Sequence, residues 1–195
     1  IGDRRGEGNV LTGLGNAYYS LGEVQKAIGY FEEALKIKRE IGDRRGEGNA
    51  LGSLGNAYAN LGEVRKAIGY YEESLKIKRE IGDRRGEGNA LNNLGIAYAD
   101  LGEVQKAIGY YEEALAIDRE LGDRRSEGAA LGNLGNAYRH LGEVQRAIGY
   151  YEQALAIDRE TGDRRGEAID SWNLGLMYAQ QSDLERAVAL MQVLV

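Results

Sequence analysis

The sequence predicts an all-α fold, an α-solenoid of stacked antiparallel helix pairs. Three observations carry this. The phrase "GDRR" returns every 40 residues, at Gly2, Gly42, Gly82, Gly122 and Gly162. Apolar residues between those phrases recur at helical spacing in two separate stripes. The chain contains no proline to interrupt them.

The repeats are 1–40, 41–80, 81–120, 121–160 and an incomplete 161–195, expected to form one array over 1–195. The second and third are identical at 32 of 40 positions. In the first repeat, Leu11, Leu14, Tyr18 and Leu21 mark a first helix over about 4–20, on the three-to-four-residue spacing of a helix face. "LGE" at 21–23 breaks it, with Gly22 at the turn. Val24, Ala27, Ile28, Phe31, Ala34 and Leu35 then mark a second helix over about 23–40 by the same spacing. A helix pair this small buries its apolar face only by stacking on its neighbours.

"GDRR" reads as the joint between repeats. Ile41 ends one helix, Gly42 suits the left-handed residue that follows it, and Asp43 caps the next helix. A phosphate loop would need Gly-Lys-Ser/Thr after the glycines, and a calcium loop would need spaced acidic ligands; neither is present. The arginine pairs, such as Arg44 and Arg45, read as a solvated edge near Glu40 and Glu47, with a ridge for phosphate or an acidic partner as the alternative. Gly29, Gly69, Gly109 and Gly149 stand inside the second helices, where close backbone packing is the simplest expectation.

Leu11, Leu14-Gly15, Tyr18, Gly22, Ala27, Phe31 and Ala34 resemble the tetratricopeptide signature in order and spacing, and the match recurs in every full repeat. The 40-residue period resembles the subtype of the Partner-of-Inscuteable family and of bacterial sensor arrays on signalling NTPases. The resemblance implies a right-handed superhelix whose concave groove, lined by the first helix of each repeat, takes peptides. Arg39, Arg79 and Arg119 stand where the family usually has proline. The last repeat departs further: Ser182 replaces the turn glycine, Met191 replaces the aromatic, and Trp172 appears. That is expected of an end repeat. The chain starts at Ile1 and stops at Val195, so it is expected to be a piece of something longer, with its last helix cut short.

Differences between successive full repeats total 25, and 13 of them fall in the six columns of Asn9, Thr12, Gly13, Asn16, Tyr19 and Ser20. Those columns form the helix face opposite the leucines. A constant scaffold with one varied stripe is what a partner-reading surface requires; a neutral stripe that merely tolerates change is the alternative. The candidate peptide-binding residues are Asn9, Asn16, Asn49, Asn56, Asn89, Asn92, Asn93, Asn133, Asn136 and Asn173, with Tyr19, Arg139 and Trp172. A carboxamide both donates and accepts, as the backbone of an extended peptide demands, although solvated asparagines would look the same. Tyrosine, arginine and tryptophan are common hot-spot residues. Trp172 reads equally well as padding at the end of the core.

The formal charge of −6 argues against a nucleic-acid partner. No apolar run approaches the ~20 residues that span a bilayer, and a cytoplasmic location is expected. No cysteine and one histidine, His140, leave no metal set. No nucleophile–base–acid set is visible either. The expectation is a non-enzymatic interaction scaffold without metal or cofactor, binding a protein or peptide segment. The alternative is a structural array that stacks end to end into homo-oligomers.

Overall fold

The structure is a computed structural model that describes residues 3–192. Among these residues there are ten helices, in two compact units divided at Leu101 and Gly102, in the turn inside the third repeat. The first unit holds α1 (Arg4–Ser20), α2 (Val24–Glu40), α3 (Arg44–Asn60), α4 (Val64–Glu80) and α5 (Arg84–Asp100). The second holds α6 (Val104–Leu121), α7 (Arg124–His140), α8 (Val144–Thr161), α9 (Arg164–Gln180) and α10 (Leu184–Met191). Within each unit every helix packs on the one before and the one after it.

The joint forms as its residue types dictate. Gly42 takes φ +68°. The Asp43 carboxylate accepts from the Gly46 backbone N–H at 2.9 Å and so caps α3. The turn inside each repeat uses Gly22, Gly62, Gly102 and Gly142, all at positive φ. Ser182 holds the same conformation at φ +65°, a strained setting for a residue with a side chain.

The arginine pairs do more than edge the joint. Arg44 hydrogen-bonds Glu47 and Glu80, tying the start of α3 to the end of α4. Arg39 at the end of α2 reaches Glu47 at 2.9 Å, which pins one repeat to the next. Arg44 and Arg45 are exposed, as expected of an edge, but Glu47, Glu87 and Glu127 beneath them are buried. Burial alone would raise the Glu87 carboxyl, but hydrogen bonds from Arg79 and Arg84 outweigh it and hold it below the usual carboxylate range.

The core follows the two stripes. Ala27, Phe31 and Ala34 of α2, and Leu51, Leu54 and Tyr58 of α3, are buried. A β-carbon at Gly55 would fall 2.4 Å from the Tyr71 ring, so only glycine lets the two helices close. Met191 fills the same place against Gly175 at the end of the chain. Two expectations are corrected. Leu14 and Leu21 of the first repeat are exposed, whereas Leu54, in the column of Leu14, is fully buried. Gly29, Gly69, Gly109 and Gly149 face open space rather than a packed backbone. The end of the chain at Val195 lies outside the described residues.

Candidate functional site

On α3, residues 45, 49, 52, 53, 56 and 60 recur every three or four positions and form the face opposite the buried Leu51, Leu54 and Tyr58. Of these, residues 49, 52, 53 and 56, with the matching face of α5 and Tyr71, Ser74 and Lys78 of α4, line a groove of about 530 Å³ in the first unit. Asn49, Asn56, Asn89, Asn92 and Asn93 all border it, so five of the expected residues meet in one place. Tyr19 extends the lining from α1, beside Asn56, Asn60 and Asp100. Asn9 borders the groove's first stretch with Thr12 and Arg45. Asn16 is exposed on α1, outside these linings.

The orientation of Asn56 is set from below. Tyr71 of α4 donates its hydroxyl to Asn56 Oδ1 at 2.8 Å, and Asn93 Nδ2 approaches the same oxygen at 3.3 Å. With its oxygen accepting from Tyr71, Asn56 keeps its NH₂ as the group that can donate, and the residue borders the groove. Burial, with Tyr19 and Asp100 nearby, pushes the Tyr71 hydroxyl up to about 12, so it remains a neutral donor. Asn136 of α7 repeats the arrangement, accepting from Tyr151 of α8 at 2.8 Å.

Asn49 and Asn9 are committed differently. Each gives its side-chain oxygen to a buried lysine, Lys78 and Lys38. Those lysines also reach Asp83 at 2.9 Å and Asp43 at 3.1 Å. The lysine hydrogen bond, opposed by burial and aided by the capping N–H of Gly86, holds Asp83 below the usual carboxylate range.

In the second unit, α7, the end of α8 and α9 line a groove of about 280 Å³, with Asn133 and Asn136 among its residues. Its floor is acidic: Asp158, Asp163 and Asp170 line it, with Arg125 and Arg165 at the rim. Arg139 lies beside the Tyr151 hydroxyl. Trp172 is 48% exposed on α9, which excludes the padding role. It forms an open apolar stripe with Ile169 and Leu176, and Ile169 borders the groove. Asn173 is half-buried on the same helix.

The sequence reading missed Lys38, Lys78, Asp158 and Asp170, and it missed the second arginine of each pair as a groove residue. Two signals pointed to them. Residue 45 shares the helix face of 49 and 56. The column of Lys38 and Lys78 turns to Asp118 and Asp158, a reversal of charge in otherwise similar repeats. Among the described residues no cluster of histidine, aspartate and glutamate could hold a metal ion, and no helix is long and apolar enough to cross a membrane.

Profiles of the tetratricopeptide repeat family match residues 46–120 and 126–194, and also 8–40. A comparison with curated proteins finds no match. Among solved structures, the chain is similar to BtubC (BKLC) from P. vanneervenii. The identity is 27%, with a TM-score of 0.84 over 93% of this chain and 76% of that one. It is also similar to a signal transduction ATPase with numerous domains, carrying a tetratricopeptide repeat sensor, from Pyrococcus horikoshii. There the identity is 24% and the TM-score 0.88, over 97% of this chain and 30% of that one. A third is a Rap protein complexed with competence and sporulation factor, at 19% identity and TM-score 0.79, over 94% of this chain and 52% of that one. The last two likenesses are of fold alone, and in each the neighbour is a much longer chain. Two features agree with the sequence reading: the all-helical solenoid fold and the likeness to sensor arrays. None of these three is a Partner-of-Inscuteable protein.

Proposed function

The chain belongs to the tetratricopeptide repeat family, and from that premise we propose that its five repeats serve as one non-catalytic scaffold that binds an extended peptide segment. The fold is generally one of protein-interaction scaffolds. A segment lies along the groove face of the first helices of a unit, where Asn56 in the first unit, or Asn136 in the second, donates to a carbonyl. The observation that carries this is the matched pair of tyrosine–asparagine bonds, Tyr71 to Asn56 and Tyr151 to Asn136. In both, the asparagine oxygen is occupied and the NH₂ remains to donate, and a solvated asparagine needs no such support. Each bond to a partner contributes about 0.5–1.5 kcal/mol net, so several must act together. A Rap protein of the same fold, solved in complex with competence and sporulation factor, supports a scaffold that takes a binding partner.

The test is a peptide-display screen on this chain beside the Asn56→Arg, Asn136→Arg double variant. Enriched peptides that bind the parent and not the variant support the groove. Equal binding to both, or no enrichment, removes it.

A second reading rests on a separate observation. Val10, Leu14 and Leu21 are exposed on the uncovered side of the first repeat, and Leu184 and Val188 are exposed on the last helix. Apolar ends of this kind fit end-to-end stacking of copies. A mass that rises with protein concentration and falls back in Val10→Glu, Leu14→Lys would support it; a constant monomer mass removes it.

A further inference from the structure

The column that reverses charge changes what the groove floor lacks. In the first unit the buried Lys78 ammonium is held between Asn49 and Asp83. In the second unit that column is Asp158, 6% exposed, while its following-repeat partner is still an aspartate, Asp163. Ala129 stands where Asn49 stood. An ion pair has become a group of like charges: Arg125 Nε lies 3.8 Å from Asp163 Oδ2, but among the described residues no cation is paired with Asp158 or Asp170. Asp170 of α9, also 6% exposed, brings a further carboxyl into hydrogen-bonding contact with Asp158. Asp158 Oδ2 is buried with no hydrogen-bond donor among the described residues, and it lines the groove. Two carboxylates in contact cannot both remain charged; a proton or a cation must lie between them.

We infer that the Asp158–Asp170 pair is the seat of a lysine or arginine side chain from the bound segment. This rests on the peptide-groove reading and supplies its chemistry. The incoming cation takes the position that the Lys78 ammonium occupies against Asp83. The exposed stripe of Ile169, Trp172 and Leu176 on α9 adds an apolar wall beside the seat, so the favoured segment pairs a basic residue with an apolar one. Arg125 and Arg165 at the rim bring positive charge to the same groove. Both are exposed and can swing into water. Without a ligand the pair keeps a proton: burial, and then the Asp158 charge, raise Asp170 to about 7. The other groups near the pair are Asp163 and Glu167 of α9 and its cap, and Tyr151 of α8; Arg139 of α7 lies against Tyr151 and Arg125 of α7 against Asp163. Binding therefore displaces a proton and strengthens as pH rises through about 7.

Trp172, the one tryptophan in the chain, lies two residues beyond Asp170 and reports on the site. The probes are libraries of short extended peptides with lysine, arginine, norleucine or glutamate fixed at the centre, titrated against Trp172 emission. Lysine and arginine libraries are expected to bind about tenfold or more tighter than norleucine, a charge-assisted hydrogen bond's share of affinity. In Asp158→Asn that preference is expected to shrink to about twofold or less. Asp158→Lys supplies the ammonium internally, as Lys78 does; it should fold, and it should bind lysine peptides no better than norleucine ones. Equal binding of lysine and norleucine libraries by the parent overturns the cation seat and leaves the groove standing. No binding of any library overturns both. Retained lysine preference in a folded Asp158→Lys also overturns the seat.

Discussion

The Lys78 ammonium lies 2.9 Å from Asp83 Oδ2, so the end of α4 is tied to the cap of α5. A third partner, Asn49 of α3, accepts from the same nitrogen. The lysine side chain is 7% exposed and Asp83 17%, so the pair is shielded but not sealed. Lys78→Met keeps the stem and removes the charge. Breaking a buried pair costs about 3–5 kcal/mol, and the partial access of water to Asp83 places this one near about 2–3. A urea midpoint unchanged from the parent would show that the contact adds nothing to stability.

Glycine supplies a matched pair of tests. A β-carbon at Gly69 of α4 meets no atom within 4 Å, and the residue is exposed. Gly69→Ala is expected to stabilise by about 1 kcal/mol, the ordinary helix preference of alanine over glycine. Gly55→Ala drives a β-carbon to 2.4 Å from Tyr71 Cε1. The ring must move and carry its hydroxyl away from Asn56. Overpacking of this kind costs about 1–3 kcal/mol, with peptide affinity falling alongside. Thermal unfolding of both variants decides; equal melting temperatures would contradict the packing argument.

The outcome at these positions separates what was legible in the sequence from what was not. The helix over 4–20 appears as Arg4–Ser20, and the one over 23–40 as Val24–Glu40. Helix period, the left-handed glycine and the aspartate cap are local properties, so residues within a turn of each other announce them. Glu47, Lys78 and Asp158 behave otherwise. Each is a charged residue whose burial depends on a neighbouring repeat, and no spacing within one repeat signals that. The same holds for Leu14, apolar in pattern yet exposed, while Leu54 in the same column is buried. The asparagine stripe was found as a face, but not the division of labour within it. Asn49 gives its oxygen to Lys78, whereas Asn56 gives its oxygen to Tyr71.

Tyr71→Phe isolates that orientation. Phe31 occupies this column in the first repeat, so the ring is accommodated without strain. Stability is expected to fall by about 1 kcal/mol with the lost hydrogen bond. The freed Asn56 amide can then rotate, and peptide affinity is expected to drop about fivefold. Calorimetric titration with a peptide from the display screen measures this. An affinity equal to the parent's would show that the tyrosine does not prepare the asparagine for binding.

Acid–base behaviour should differ in sign between the two units. In the first, Asp83 is held below its ordinary value of 3.8 by the Lys78 hydrogen bond, against burial. Its contribution is present above that ordinary value and disappears as pH falls through the depressed one. In the second unit burial, reinforced by Asp123 and Glu127, raises Asp118 to about 6. Burial and Asp158 raise Asp170 to about 7. A raised carboxyl means that the folded state binds the proton more tightly than the unfolded chain. That stabilisation is full below about 3.8 and is lost as pH climbs through about 6 to 7. The parent should therefore lose stability between about pH 4 and 7. Asp118→Asn with Asp170→Asn should flatten that window and leave the acid limb of the first unit in place. Hydrogen exchange read separately over α3–α4 and α7–α9 distinguishes the limbs. An unchanged slope in the double variant would mean that these carboxyls titrate as they do in the unfolded chain.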